Sequence, residues 1–519
     1  MDYALLISGH AERLGPATWS RQRLLHEALR EAIRSGKLPA GSRLLASRAL
    51  AAELGWARNT VIYAYEQLAS EGWVSAGRQG TVVHARPLSS LSSASAPRAA
   101  ADETNDESRA QVEVPLSLSQ RTASLACLPV ASDLAAGFAP GVPALDAFPQ
   151  ALWRRLMARA WRSLDGAQLN YGPPAGELAL CQAIAAHLRA SRAVRCSAEQ
   201  VFITDGTQAS LDLCARAFAD AGDKVWIESP GYGGALTAFR AAQLRPVGIA
   251  VDGQGMAPRP QDWRQQRPKL IYVTPSHQYP SGAVMSLERR LALIAQARHI
   301  GALIIEDDYD SEFRYDGPPL AAMQGLGHDL GATPGKGLDG VVVSDAPVIY
   351  LGTFSKTLFP GLRIGFMVVP APLVNPLHSL LARSAPRGRA ADQLALAEFL
   401  REGHFGLHLR RMRRLYRQRR DALVQALQAQ VGDIATVQGA SAGMHLALCF
   451  DPALTIDDQA VSAQALQAGI VAPALSQHQT GRRGGTWSGL MLGYAQVPEA
   501  QIEPLVRRLA LLLRAAVKA

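Results

Sequence analysis

The chain has 519 residues, 48% of them hydrophobic, which exceeds the usual single-domain size and leads us to expect two or three domains with ample core. Its formal net charge of +9, from 53 basic and 44 acidic residues, permits nucleic-acid binding without demanding it. The five cysteines are scattered without a C-x-x-C pair, which excludes a disulfide or zinc framework, and no metal site is expected; the absence of a basic leader or a bilayer-length apolar run leads us to expect a cytoplasmic protein away from membranes.

From the start, Leu24, Leu25, Ala28, Leu29, Ala32 and Ile33 recur at helical spacing and predict an amphipathic helix over 21–35, stopped by Gly36. After the turn Leu38-Pro39-Ala40-Gly41, Ser47 offers an N-cap for a short helix over 48–54, with Gly55 as its C′ residue. A further helix is predicted over about 58–72, and residues 73–83, with Gly77 and Gly80, read as a two-stranded ribbon. This order is that of a winged helix-turn-helix. Arg58, Asn59 and Thr60, at the exposed start of the third helix, are residue types that read guanine, adenine and a thymine methyl or phosphate. Arg48 and the wing from Arg78 to Gly80 are suited to the DNA backbone. Over residues 1–86 eleven basic residues face seven acidic ones, so the pattern and not the charge carries this reading.

Residues 87–130 begin with PLSSLSSASAPRAAADETNDESRA, whose small and polar residues cannot repay chain entropy, and they are expected to form a flexible linker. Its most polar part, about 27 residues, has a mean span of roughly 30 Å as a random coil, enough to reach a neighbouring subunit. The composition is globular over 131–519. Strands are predicted at 200–204, 224–228, 245–251, 270–274, 302–305, 348–351 and 364–369, with helices at 207–219, 234–242 and 286–299 between them. This alternation predicts a three-layer α/β sheet. Beyond about Gly388, long helices and strands at 444–450 and 490–494 predict a smaller α+β subdomain.

The stretch YLGTFSKTLFPGLRIG holds Lys356 just past a strand, on a turn bearing Thr353 and Ser355, with Arg363 seven residues on. A desolvated lysine forms a Schiff base with an aldehyde, and a guanidinium with two hydroxyls suits a phosphate. An aldehyde carrying a phosphate describes pyridoxal 5′-phosphate. Four further signals suit that cofactor. One strand ends in Glu306-Asp307-Asp308-Tyr309, where one of the carboxylates could pair with the pyridine nitrogen and Tyr309 reach the ring hydroxyl. Gly206-Thr207-Gln208 opens a helix after a strand and can receive a phosphate. Tyr232, after Ser229-Pro230-Gly231, offers a face for stacking.

The segments LPAGSRL, SRALAAELG and ARNTVIYAYEQLASEGW resemble the winged helix of GntR-type regulators, although relatives usually carry Pro where Leu45 stands and a longer wing tip. YGPPAGELALCQAIAAHL, TDGTQASLDL, ESPGYGGA, TPSHQYPSG, IIEDDYDSEFRY and GTFSKTLFPGLRIG, in that order, resemble the large domain of fold-type I aminotransferases. Together they resemble the MocR family of transcription regulators over nearly the full length. The resemblance implies that Lys356 bonds the cofactor, Asp307 pairs with the ring nitrogen, Tyr309 with the ring oxygen, and Tyr232 stacks. It also implies that Arg363, Thr353, Ser355, Gly206, Thr207 and Gln208 hold the phosphate. Three departures stand out: Tyr279 replaces the aminotransferase Asn, a Gly-rich loop spans about 325–346, and Leu490 stands where a carboxylate-binding arginine is expected, with Arg482 and Arg483 nearby.

The expected function is a homodimeric regulator of double-stranded DNA that senses pyridoxal phosphate, or an amine or amino acid reacting with it. A working aminotransferase with an attached DNA-binding domain is the alternative, and a cofactor-free structural use of the fold is disfavoured by Lys356 and Asp307.

Overall fold

The computed structural model describes residues 2–14, 19–77, 80–84, 119, 137–317, 319–327, 335–336, 342–343, 346–384, 388–480 and 487–518. Ser119 apart, the expected linker lies outside these residues, as do Arg78, Gln79, Arg482 and Arg483. Two compact units, Met1–Val114 and Pro115–Ala519, divide the chain.

The first unit is built from helices α1 (Tyr3–Leu14), α2 (Arg21–Arg34), α3 (Ser47–Leu54) and α4 (Arg58–Ser70), followed by strands β1 (Val74–Gly77) and β2 (Gly80–Val83). Ser20 caps α2, accepting from the Arg23 N–H at 3.4 Å. The cap of α3 is Ala46, one residue earlier than expected, so Ser47 lies inside the first turn and its hydroxyl does not cap. Gly55 ends α3 with φ 62°, a left-handed conformation open to glycine at little cost. Val61, Ala64, Tyr65 and Leu68 give α4 one buried face against Leu25, Leu29, Leu50, Val74 and Val83. The antiparallel wing pairs Val74 with Val83 and Gly77 with Gly80. Helix α1 was absent from the sequence expectation; Tyr3 and Ile7, one turn apart, bury on the same core, each contributing about 1.5–3 kcal/mol of burial free energy.

In the second unit the main strands are β3 (Val201–Thr204), β4 (Lys224–Ser229), β5 (Arg245–Asp252), β6 (Gly255–Met256), β7 (Leu270–Val273) and β8 (Leu303–Asp308). Within the Gly-rich segment lies a small antiparallel pair, β9 (Gly335–Lys336) with β10 (Val342–Val343), and then come β11 (Val348–Thr353) and β12 (Gly365–Val368). The eight-stranded sheet runs β3-β12-β11-β8-β7-β4-β5-β6. Its centre, β11-β8-β7-β4-β5, is parallel, while β12 is antiparallel to both neighbours. All six residues of β11 are buried, as befits a parallel strand covered on both faces. Separate cores fill those two faces, one around Leu211, Cys214 and Phe239, the other around Trp226, Leu293 and Ile294. The expected three layers are therefore present, and β11 extends two residues past the expected Leu351, taking Gly352 and Thr353 out of the turn.

A second, antiparallel sheet joins β13 (Ala435–Gln438), β14 (His445–Phe450) and β15 (Gly489–Gly493). With the helices His404–Val431 and Glu499–Lys518 it makes the expected α+β subdomain. Among the described residues no helix is long and apolar enough to cross a membrane.

Candidate functional site

The carboxyl ends of β4, β7, β8 and β11 and the turn after β3 converge on one cavity of about 330 Å³. Ligands of open α/β sheets bind at such strand ends. The cavity brings together Lys356, Asp307, Tyr309, Tyr232, Arg363, Thr353, Ser355, Thr207 and Gln208 from segments far apart in sequence.

Side chains alternate along β8, and that alternation selects among its acids. Glu306 accepts from the Met323 and Gln324 N–H groups at 2.9 and 3.1 Å, and Asp308 accepts from Arg192 Nε at 2.8 Å and the Tyr350 hydroxyl at 2.5 Å. Both are thus spent on structure. Asp307, on the opposite face, lines the cavity and accepts from the Tyr272 hydroxyl at 2.8 Å through Oδ2. Its Oδ1 is buried with no hydrogen-bond partner among the described residues. Burial raises the Asp307 pKa to about 7, with the Tyr272 hydrogen bond opposing it and the Asp308 and Asp310 charges adding to it.

Lys356 is half-buried, and its Nζ donates to the Gly141 carbonyl at 2.8 Å. Gly141 has φ 70°, and a Cβ there would stand 2.7 Å from Nζ, so only glycine lets the backbone approach the amine this closely. Desolvation lowers the Lys356 pKa below the ordinary lysine value, against the opposing pull of Asp310 and Asp307.

Gly206, with φ 96°, precedes the helix Thr207–Phe218, whose N-terminal N–H groups open on the cavity. Arg363 Nη2 donates to the Asp205 carbonyl at 2.7 Å, which holds the guanidinium over that helix start. Arg363 itself has φ 49°, and Arg389 donates to its carbonyl at 3.0 Å and to that of Leu362 as well. The Ser355 Oγ is buried without a partner among the described residues, whereas Thr353 Oγ1 already accepts from the Ser355 N–H at 3.1 Å.

Some expected roles meet competing contacts. The Tyr309 hydroxyl donates to the His277 carbonyl at 3.0 Å and lies 3.2 Å from His277 Nδ1, although its ring lines the cavity. The Gln208 amide donates to the Gly234 carbonyl at 2.9 Å. Tyr232 lies edge-on to Tyr279, their ring centroids 5.4 Å apart. In the first unit Arg48, Arg58, Asn59 and Gly80 are exposed and Thr60 half-buried, with Arg58 opening α4.

Sequence reasoning passed over Tyr272, Gly141, His277, Asp310, His445 and Arg389. His277 Nδ1 and Asp310 Oδ2 are 3.0 Å apart and both are fully buried. Burial opposes charge on His277, but Asp310, through charge and hydrogen bond, holds its pKa above the ordinary histidine value. His445, on β14, lies 5.0 Å from His277 between ring centroids, and burial together with that neighbour drives its pKa well below the ordinary value. Ligand atoms of His277, Asp310 and His445 lie within 4.8 Å of one another, a spacing that would admit a cation, but a protonated His277 is not a metal ligand.

Comparison with known proteins bears on both units. Residues 22–83 match the family of bacterial regulatory proteins, gntR family, and residues 138–509 match aminotransferase class I and II. The probable rhizopine catabolism regulatory protein MocR of Rhizobium meliloti is 38% identical over 481 residues, 92% of this chain and 90% of that protein. The chain is a MocR-type transcription regulator of the GntR family. A second relative of this MocR-type chain is the pyridoxine biosynthesis transcriptional regulator PdxR of Corynebacterium glutamicum, 31% identical over 480 residues and covering 92% of each protein. Among solved structures, the α-aminoadipate aminotransferase LysN of Thermus thermophilus superposes with a TM-score of 0.64 at 28% identity, over 74% of this chain and 92% of that one.

The second unit of this MocR-type regulator therefore has the fold-type I aminotransferase fold, whose cofactor is pyridoxal 5′-phosphate. The residues present fit that group. A buried carboxylate oxygen without a partner, a buried serine hydroxyl without one, a lysine amine and a guanidinium over a helix N-terminus are the complements of a ring nitrogen, an aldehyde and a phosphate.

Proposed function

We propose that this regulator holds pyridoxal 5′-phosphate in the cavity around Lys356 and passes information about the cofactor, or about an amine or amino acid that reacts with it, to a winged helix bound at a double-stranded operator. The observation that carries the reading is the meeting of Lys356 and Asp307 in one cavity, at the ends of two neighbouring strands, with Asp307 Oδ1 free of protein partners among the described residues. When bound, the cofactor supplies an aldehyde that bonds a primary amine and a ring that withdraws electrons.

Each residue then has a definite task. Asp307 Oδ1 accepts from the ring nitrogen, while Tyr272 holds the other oxygen. Lys356, its proton affinity reduced by desolvation, presents a free amine for covalent attachment, and the Gly141 carbonyl orients it. Arg363, the Ser355 hydroxyl and the N–H groups following Gly206 take the phosphate, with Thr353, Thr207 and Gln208 forming the wall around it. Tyr232 covers one ring face, and Tyr309 meets the ring oxygen once its hydroxyl leaves His277.

In the first unit, Arg58, Asn59 and Thr60 read base edges from the start of α4, and Arg48, Arg78 and Gly80 meet the phosphate backbone. One winged helix makes too small an interface for tight binding, so two are expected per operator, supplied by a homodimer. The exposure of Leu169, Tyr171 and Leu178, large apolar side chains close in sequence on the second unit, supports such pairing. The protein is expected to work in the cytoplasm, where the operator lies.

The test is cofactor binding by the full chain and its Lys356→Ala variant. Borohydride should fix pyridoxal phosphate irreversibly to the parent and not to the variant. Equal fixation in both would move the attachment point away from Lys356.

A further inference from the structure

The cavity has two chemically different ends. At one, Arg363, the helix start at Gly206 and the Ser355 hydroxyl gather donors for a dianion. At the other stand Pro140, Tyr279, Tyr309, Asp310, Met444 and His445.

The fixed charges at that second end decide what it can take. Among the described residues lining the cavity, Arg363 is the one guanidinium, and its contact with the Asp205 carbonyl ties it to the phosphate end. Asp310 brings a carboxylate that is 1% exposed, and the charge of His277 is spent on it at 3.0 Å. Asp310 nonetheless keeps acceptor capacity, since a carboxylate offers about four lone-pair sites. His445 is 1% exposed, and its Nε2 has no partner among the described residues. Its ring stacks at 6.4 Å on that of Tyr309. With imidazolium His277 beside it, His445 is neutral, a hydrogen-bonding group without net charge.

A carboxylate entering this end would face Asp310 with no fixed cation among the described lining residues to pair with, and burying an unpaired anion beside another is costly. A hydroxyl meets no such penalty, because it can donate to Asp310 and exchange a hydrogen bond with His445. We infer that the effector is a primary amine bearing hydroxyl groups and no carboxylate, and that His445 and Asp310 select those hydroxyls. The inference rests on the proposal that the cavity takes an amine effector.

Three amines with one carbon skeleton separate the possibilities. Serinol carries two hydroxymethyl arms on its amine-bearing carbon, serine replaces one arm with a carboxylate, and isopropylamine has two methyls. Each is titrated into full-length, cofactor-loaded protein and followed at the visible band of the bound cofactor. Serinol should half-saturate at roughly a tenfold lower concentration than either of the others, the worth of one or two well-made hydrogen bonds in a desolvated site. His445→Phe should bring the ratio of serinol to isopropylamine towards unity, and Asp310→Asn should do the same if the first variant fails to fold. Serine acting at or below the serinol concentration would overturn the inference while leaving the effector reading intact. A band that answers to none of the three, with cofactor present, would remove the effector reading and the inference with it. An unchanged ratio in both variants would remove His445 and Asp310 as the selecting residues.

Discussion

The Tyr272 hydroxyl donates to Asp307 Oδ2 at 2.8 Å, and Oδ1 of the same carboxylate has no partner among the described residues. Half of the carboxylate is thus fixed in place and half presented to the cavity. Because burial raises Asp307 to about 7 in the ligand-free protein, the anion that pairs with a ring nitrogen forms only as pH rises through that region. Pyridoxal phosphate affinity should therefore increase between about pH 6 and 8. Tyr272→Phe removes a bond that favours the anion, so the midpoint should move upward and affinity at pH 7 should fall by about 1.5 kcal/mol. Equilibrium dialysis across pH checks this, and a pH-independent affinity in both proteins would contradict it.

Arg389 touches the cavity only through another residue. It donates to the carbonyls of Leu362 and Arg363, whose φ of 49° aims the Arg363 guanidinium at the phosphate end. Arg389→Ala should weaken pyridoxal phosphate binding by about 1–2 kcal/mol, and Arg389→Lys should not rescue it, since an ammonium lacks the planar fork that spans two carbonyls. Pyridoxal, which lacks the phosphate, should bind all variants alike. Equal losses for both ligands would assign Arg389 to general stability.

His277 and Asp310 form a buried pair at 3.0 Å whose strength depends on the imidazolium. The folded-state pKa of His277 is raised, so its contribution is fully present below the unfolded histidine value of about 6.5 and is lost as pH climbs through the folded value. His277→Gln should accordingly lower the unfolding temperature more at pH 6 than at pH 9. A loss that grows with pH would mean that the pair is held by some other charge state.

Arg58 and Asn59 stand exposed at the first turn of α4. Each alanine substitution should cost about 1–3 kcal/mol at the operator with little loss on random DNA. Gel-shift titrations against both DNAs measure the difference. Equal losses would make the two residues phosphate contacts.

Much of this was legible in the sequence, and the exceptions have physical reasons. Strands β4, β7, β11 and β12 are continuous apolar runs, so their positions could be read within a residue or two. Their very hydrophobicity concealed Tyr272, which reads as one more core residue of β7 until its hydroxyl is seen on Asp307. The run Glu306-Asp307-Asp308 could not be sorted without the strand's facing, which only Arg192, Tyr350, Met323 and Gln324 reveal. His277, Asp310 and His445 belong to segments widely separated along the chain, and no local spacing announces that they meet. Helix α1 was missed because Tyr3 and Ile7 give too short a stripe to stand out without the core they complete. Ser47 failed as a cap because the chain turns helical one residue sooner.

The central claim is that occupancy of the cavity and occupancy of the operator are coupled. An effector shifts a regulator only by its differential affinity for two states, and by linkage the operator must alter effector affinity by the same factor. The direct measurement is a titration of cofactor-loaded protein with its tightest-binding amine, followed at the cofactor band, with and without operator DNA. A coupling of about 1–3 kcal/mol predicts half-saturation points that differ by roughly 5- to 150-fold. Coincident curves, for an amine that changes transcription in the cell, would contradict the account.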